Sequence, residues 1–166
     1  MFNIYLYKLC GIEKTCQLLD GVFAFVLYDK NTDKLFAARD PYGVRPLFMG
    51  NNEEKELFIS SELKSISDKC KVVDQFNHGT YLEYKQNDIF MMKKYYNNNY
   101  KIDPLRSEEF ILNCIKNKLT KAVKKRLLSD RPIGALLSGG LDSSLISGIL
   151  CKIYKEQNIK NKLKTF

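Results

Sequence analysis

The chain has 166 residues, a mass of 19.3 kDa and 45% hydrophobic residues, which suits one domain, or a small domain plus part of another, and excludes disorder throughout. Its net charge of +8 comes largely from Lys121, Lys124, Lys125 and Arg126 and from Lys152, Lys155, Lys160, Lys162 and Lys164. These cations are interleaved with Asn, Tyr and Ile rather than forming one dense block, so a solvated surface is expected and a nucleic-acid partner is not. Five cysteines, an odd number without a CxxC pair, argue against a zinc site and against a secreted disulfide framework. The opening MFNIYLYKLC lacks a basic n-region and a cleavage site, and no apolar run approaches the length of a membrane span. A reducing, cytoplasmic setting without a membrane partner is the expectation.

Residues 3–19 carry Ile4, Leu6, Tyr7, Ile12, Cys16 and Leu19 at helical spacing, with Gly11 as an interruption. Asp20-Gly21 breaks the pattern, and Val22 to Tyr28 is β-branched and aromatic, as a buried strand requires. Asp29 to Asp33 has hairpin-turn chemistry, and Lys34 to Arg39 returns as a second strand. Pro46 to Gly50 and Leu57 to Ser60 form a further pair, Ser61 to Ile66 suits a short helix, and Thr80 to Lys85 pairs with Ile89 to Lys93 around Gln86-Asn87-Asp88. His78, the only histidine, sits in the loop before that hairpin without a partner by spacing and is expected to be structural. A helix followed by hairpins predicts an α+β, antiparallel-sheet first part.

The composition then changes. Tyr95 to Tyr100 and Asp103-Pro104 read as a linker, and Ser107 caps a helix with Glu108 and Glu109 in its first turn. Phe110, Ile111, Cys114, Ile115, Leu119, Ala122, Val123 and Leu127 recur along it at three and four. After Pro132 come a strand, Ile133 to Leu137, the stretch SGGLDSS (138–144), a helix from about Ser143 to Gln157, and Lys164-Thr165-Phe166 as the start of another strand. Strand, helix, strand is the opening unit of a parallel α/β sheet.

SGGLDSS carries the chemistry. Glycines at a strand-to-helix turn let backbone approach a ligand, and the helix N-terminus behind them favours an anion, most often phosphate. Ser138, Ser143 and Ser144 add hydroxyl donors, and Asp142 suits such a site when Mg²⁺ stands between carboxylate and phosphate. Neither a Walker A lysine motif nor GxGxxG is present.

The stretch resembles the pyrophosphate loop, SGGxDS, of N-type ATP pyrophosphatases. Together with GIEKT (11–15), LLDGVFAFVLYD (18–29), ARDPYGVRPLF (38–48), SSELKSI (60–66), KKRL (124–127) and SDRPIGALLSGGLDSS (129–144), the chain resembles glutamine-dependent asparagine synthetases of the eukaryotic type, collinearly and over nearly its whole length. The resemblance implies an N-terminal-nucleophile hydrolase-like glutaminase part over 1–96, a linker over 97–106, and over 107–166 the first strand, loop and helix of an ATP pyrophosphatase domain, both folds incomplete. It implies ATP and Mg²⁺ as cofactors and ATP, aspartate and glutamine as small-molecule substrates of the full-length enzyme, a homodimer. Aspartate would be amidated through β-aspartyl-AMP with glutamine-derived ammonia. By the same resemblance Leu137 lies against the adenosine, Ser138, Gly139, Gly140, Ser143 and Ser144 hold the phosphates, and Asp142 binds Mg²⁺ through them. RDPYGVRPL (39–47) is expected to be structural, with neither Arg39 nor Arg45 catalytic.

The pattern departs from the family at one point of chemistry. The family's glutaminase nucleophile is an N-terminal cysteine whose own amine is the base, whereas position 2 here is Phe2. Cys10-Gly11-Ile12 mimics the family's opening CGI, but only seven residues separate Ile12 from Asp20. No NGEIYN or RGP segment follows, so no catalytic residue is assigned. The expectation is the middle of a larger enzyme, inactive by itself and binding Mg-ATP weakly at most. Alternatives are a β-lactam synthetase-like ligase with another acceptor, a short inactive paralogue acting as an interaction module, and, last, a basic nucleic-acid binder.

Overall fold

The computed structural model describes residues 2–85, 91–100, 106–159 and 162–166. The Gln86-Asn87-Asp88 turn, the first residues of the strand expected from Ile89, Asp103-Pro104 and Lys160 lie outside the described residues. The chain divides into two compact units, residues 1–100 and 101–166.

In the first unit, helix α1 (Phe2–Leu18) is bent at Gly11, which adopts φ 75° and ψ 174°. Only glycine takes this backbone without strain. Thr15 Oγ1 donates to the Gly11 carbonyl at 2.7 Å across the bend. The bend turns the two halves of the apolar face differently: Ile12 and Cys16 are buried, while Ile4 stays exposed.

Strands β1 (Ala24–Asp29), β2 (Lys34–Arg39), β6 (Thr80–Lys85) and β7 (Met91–Lys94) form one antiparallel sheet in the order β1-β2-β6-β7. The turn between β1 and β2 is closed by Asp29, whose carboxylate accepts from the Asn31 N–H, Thr32 Oγ1 and Tyr7 Oη at 2.8–2.9 Å. Asp33 leaves the turn at φ 54°. Strands β3 (Phe48–Asn51), β4 (Leu57–Ser60) and β5 (Val72–Gln75) form a second antiparallel sheet with β3 in the middle. β5 has no counterpart in the sequence expectation, because two valines in a four-residue segment are too short a signal. The short helix expected at Ser61–Ile66 is a single 3-10 turn, Leu63–Ser65.

Alternation along the strands of the first sheet sends side chains to opposite faces. Phe36, Ala38 and Tyr81 meet Ile12 and Cys16 of α1, whereas Ala37 and Leu82 meet Leu47, Met49 and Phe76 on the side of the second sheet. The result is three layers, helix, sheet and sheet. Tyr95 belongs to this core, not to a linker: it is buried, lies 6.4 Å from the Phe23 ring, and donates its Oη to the Arg39 carbonyl at 2.7 Å.

In the second unit α2 (Glu108–Lys125) starts at Ser107, whose side chain accepts from the Phe110 N–H. The strand expected at Ile133–Leu137 is reduced to β8 (Gly134–Ala135), because its parallel partner β9 is only Lys164–Thr165. Helix α3 runs over Leu141–Glu156 and begins earlier than Ser143, since the Ser144 N–H already bonds the Gly140 carbonyl at 3.1 Å. Val123 of α2 and Leu150 and Ile153 of α3 are the buried centre, with Ala135 and Leu163 packed against them.

Candidate functional site: the strand-to-helix loop

β8 delivers the chain to Leu137 and Ser138, and the loop then turns into α3. Gly139 has φ 80°, a left-handed conformation that an L side chain resists, and a Cβ built there would meet nothing within 4 Å. The backbone on that side faces open space, as a phosphate-receiving turn requires. Gly140 is extended (φ −74°, ψ 163°) and stands at the N-cap of α3 without a side-chain cap bond. The helix therefore presents its first turn of N–H groups without a competing capping oxygen, and its dipole adds positive potential there.

The hydroxyls are organised. Ser143 Oγ donates to the Gly140 carbonyl at 3.1 Å and lies 3.0 Å from Ser138 Oγ. Ser143 has one proton, so Ser138 is the donor between them, and the pair ties the two ends of the turn together. Rotation of the Ser138 hydroxyl away from Ser143 would free its proton for another acceptor. Ser138, Gly139, Gly140, Asp142 and Ser144 are all exposed, and Ser143 is half-buried.

Asp142 sits in the first turn of α3. Among the described residues no group of three His, Cys, Asp or Glu side chains could hold a metal ion. A divalent ion here would rest on one carboxylate and borrow its other ligands from phosphate and water, which is how Mg²⁺ is commonly bound. Leu137 is 44% exposed and its neighbour Leu136 is 82% exposed, so apolar surface lies open beside the loop. The structure thus brings Leu137, Ser138, Gly139, Gly140, Asp142, Ser143 and Ser144 into one continuous turn.

The RDPYGVRPL segment lies in the first unit and is a buried polar scaffold. Arg39 donates to the carbonyls of Gly43, Arg45 and Phe76, each at 2.7 Å. Asp40, 1% exposed, accepts from the N–H groups of Tyr42, Val44 and Arg45 at 3.0–3.1 Å. Burial works to raise its carboxyl, but the N–H groups of Arg45, Val44 and Tyr42 outweigh it and hold it below the usual carboxylate range. Gly43, at φ 63°, packs so closely on the Arg39 guanidinium that a Cβ would come within 3.1 Å. Both charges serve backbone, Asp40 that of the loop itself and Arg39 that of the loop and of Phe76, which is a structural role. Nothing in residue spacing announces it, since Phe76 is 37 positions from Arg39.

Cys10 is exposed within α1 and donates its Sγ to the Leu6 carbonyl at 3.1 Å. His78 Nδ1 donates to the Pro41 carbonyl at 2.8 Å, the partner that spacing alone did not supply.

The family model described as "Asparagine synthase" matches residues 115–166, which contain the loop. An asparagine synthetase [glutamine-hydrolyzing] of Pongo abelii is 40% identical over 185 aligned positions, covering 98% of this chain and 33% of the relative. A probable asparagine synthetase [glutamine-hydrolyzing] of Dictyostelium discoideum is 38% identical, with 98% and 29% covered. The chain thus spans about a third of the length of the curated relatives it matches. Among solved structures, glutamine phosphoribosylpyrophosphate amidotransferase from B. subtilis superposes with a TM-score of 0.50 at 14% identity, covering 99% of this chain and 37% of that one, a likeness of fold. The family model described as "Glutamine amidotransferase domain" matches residues 3–117, well over half of the sequence, and the chain belongs to that family.

Proposed function

We propose that these residues are part of a glutamine-hydrolysing asparagine synthetase, which amidates aspartate through β-aspartyl-AMP with ammonia drawn from glutamine. The reading is supported by the identity of the relatives as asparagine synthetases and by the match of residues 115–166 to the asparagine synthase family. The observation that carries it is the loop itself: a left-handed Gly139 with open space beside it, leading into a 16-residue helix whose first turn no side chain caps. We read residues 1–96 as glutaminase, 97–106 as linker and 107–166 as the opening of the ATP pyrophosphatase fold. The two compact units support this division. Free cysteines throughout the described residues fit a cytoplasmic setting. The functional state is read as a homodimer acting on small molecules.

ATP supplies the phosphoanhydride whose cleavage activates the acceptor carboxylate and releases pyrophosphate. The chain's own contribution is to hold the phosphates. The backbone at Gly139 and Gly140 approaches them because no side chain intervenes. The first-turn N–H groups of α3 favour their charge, Ser138 and Ser144 can each donate a hydrogen bond, and Ser143 can do so once it releases the Gly140 carbonyl. Asp142 would hold Mg²⁺ against the same oxygens, offsetting its own repulsion from them. Leu137 offers the apolar surface for the nucleoside. The glutamine side needs an activated thiol. Cys10 lies in mid-helix with its Sγ engaged by a backbone carbonyl, so we assign it no part in glutamine hydrolysis.

The test is binding of Mg-ATP to the 166-residue chain, followed by amide NMR and calorimetry. Expected are shifts confined to Ser138–Ser144, a dissociation constant on the order of 1 mM, displacement by inorganic pyrophosphate, and loss of the Mg²⁺ dependence in Asp142→Asn. The absence of any shift in the loop at about 10 mM nucleotide, roughly tenfold above that constant, would overturn the nucleotide reading.

A further inference from the structure

The stem of the loop is not held by burial, as the exposure of Leu136 and Leu137 shows. It is held by the residue that follows the neighbouring strand β9. The Phe166 N–H donates to the Ala135 carbonyl at 3.1 Å, and the Leu137 N–H donates to the Phe166 carbonyl at 2.9 Å. These two bonds continue the two-residue β8–β9 ladder up to the last residue before Ser138. The Phe166 ring occupies the place a side chain at Gly134 would take: a Cβ there would lie 3.0 Å from Phe166 Cε2 and 3.5 Å from the Lys164 carbonyl. Gly134 needs no unusual dihedral, for it is a ladder residue. Its missing side chain is explained by the ring above it.

We propose that Phe166 is a positioning residue for the loop. Its backbone clamps Leu137, and its ring, seated over Gly134, fixes the register and spacing of β9 against β8, so that Ser138 and Gly139 start from a defined point. The ring's contact with Gly134 is what gives it a place. A short parallel ladder is weak by itself, and the Ser138–Ser143 hydroxyl pair adds one side-chain tie across the turn. The role in nucleotide binding rests on the proposed function above, but the clamp is a property of the free chain.

Amide hydrogen exchange of the full 166-residue chain tests the clamp without ligand, and Mg-ATP titration tests its consequence. Phe166→Ala keeps the backbone bonds possible but unseats the ring. It is expected to speed exchange at Leu137, whose N–H makes the clamp bond, by about fivefold, the scale of one weakened hydrogen bond. Exchange in the middle of α3 and the melting temperature should stay unchanged, and Phe166→Leu should recover most of the protection. Gly134→Ala is expected to have the same effect as Phe166→Ala by pushing the ring aside. Combining the two should cost less than their sum, because the new methyl fills the vacated space. In the titration Phe166→Ala should weaken Mg-ATP about as much as it loosens the loop. Unchanged loop exchange in both single variants, or strictly additive effects, overturns the proposal. Faster loop exchange in a chain whose wild type binds no nucleotide retains the clamp and removes the nucleotide reading instead.

Discussion

Replacing Asp40 by alanine removes the carboxylate that organises the 40–45 loop, and the structure sets the size of the effect. Three N–H groups, of Tyr42, Val44 and Arg45, lose a charged acceptor at once. Hydrogen bonds to charged groups are worth about 1.5–3 kcal/mol each. The side chains of Tyr42, Val44 and Arg45 are exposed, so water reaches part of the vacated site and the full sum is not lost. A loss of about 3 kcal/mol is expected, a large share of the roughly 5–15 kcal/mol that holds a typical domain together. Asp40→Asn retains one acceptor oxygen for Tyr42 and Val44 but turns an amide donor toward the Arg45 N–H, and should cost about half as much. The pH dependence has a definite sign. The folded carboxyl lies below its unfolded value of about 3.9. Its stabilisation is therefore fully present above that value and is lost as pH falls through the lower folded one. The gap between wild type and Asp40→Asn should be flat from neutral pH to about pH 4 and should close below it. Urea unfolding followed by tyrosine fluorescence measures this directly, since the chain has ten tyrosines and no tryptophan. A loss below about 0.5 kcal/mol in Asp40→Ala, the level of an ordinary surface change, would refute the reasoning.

Gly50→Ala should destabilise the first unit by roughly 2 kcal/mol, because its Cβ would lie 2.7 Å from the Val72 carbonyl and 2.9 Å from Cys70 Sγ. Adding Cys70→Ala should not restore the melting temperature, since the nearer obstacle is backbone; full recovery would show the strand contact to be soft. The thiols should separate by reactivity. Burial pushes Cys16 up to about 12, so at pH 8 a disulfide reagent should label the exposed Cys10 and Cys151 quickly and reach Cys16 only in denaturant. Labelling of Cys16 at the rate of Cys10 would mean that α1 does not stay packed on the sheet.

Local pattern was sufficient where the signal is local. The β1–β2 hairpin follows from an apolar, β-branched run, the Asp29–Asp33 turn and a second run, and the observed register pairs Asp29 with Lys34 across that turn. SGGLDSS likewise announced its conformation, because two glycines between apolar segments have few uses other than a backbone turn open to a ligand. β5 escaped because Val72–Gln75 is a strand only through its pairing with β3, and four residues contain too few periods to reveal it. Composition reads the Tyr- and Asn-rich run from Tyr95 as a linker, while the fold buries Tyr95 and packs the half-buried Tyr96 against the same core.

The sequence by itself determined the family resemblance, the helix and hairpin order and the membership of the loop, because each depends on residues close together in the chain. Tertiary structure alone decided that Arg39 and Asp40 are buried and spend their charges on backbone. It alone brings Phe166 to the stem of a loop that starts 28 positions earlier, at Ser138. Charge burial and strand neighbours depend on which distant segments share a layer, and sequence spacing does not encode that distance.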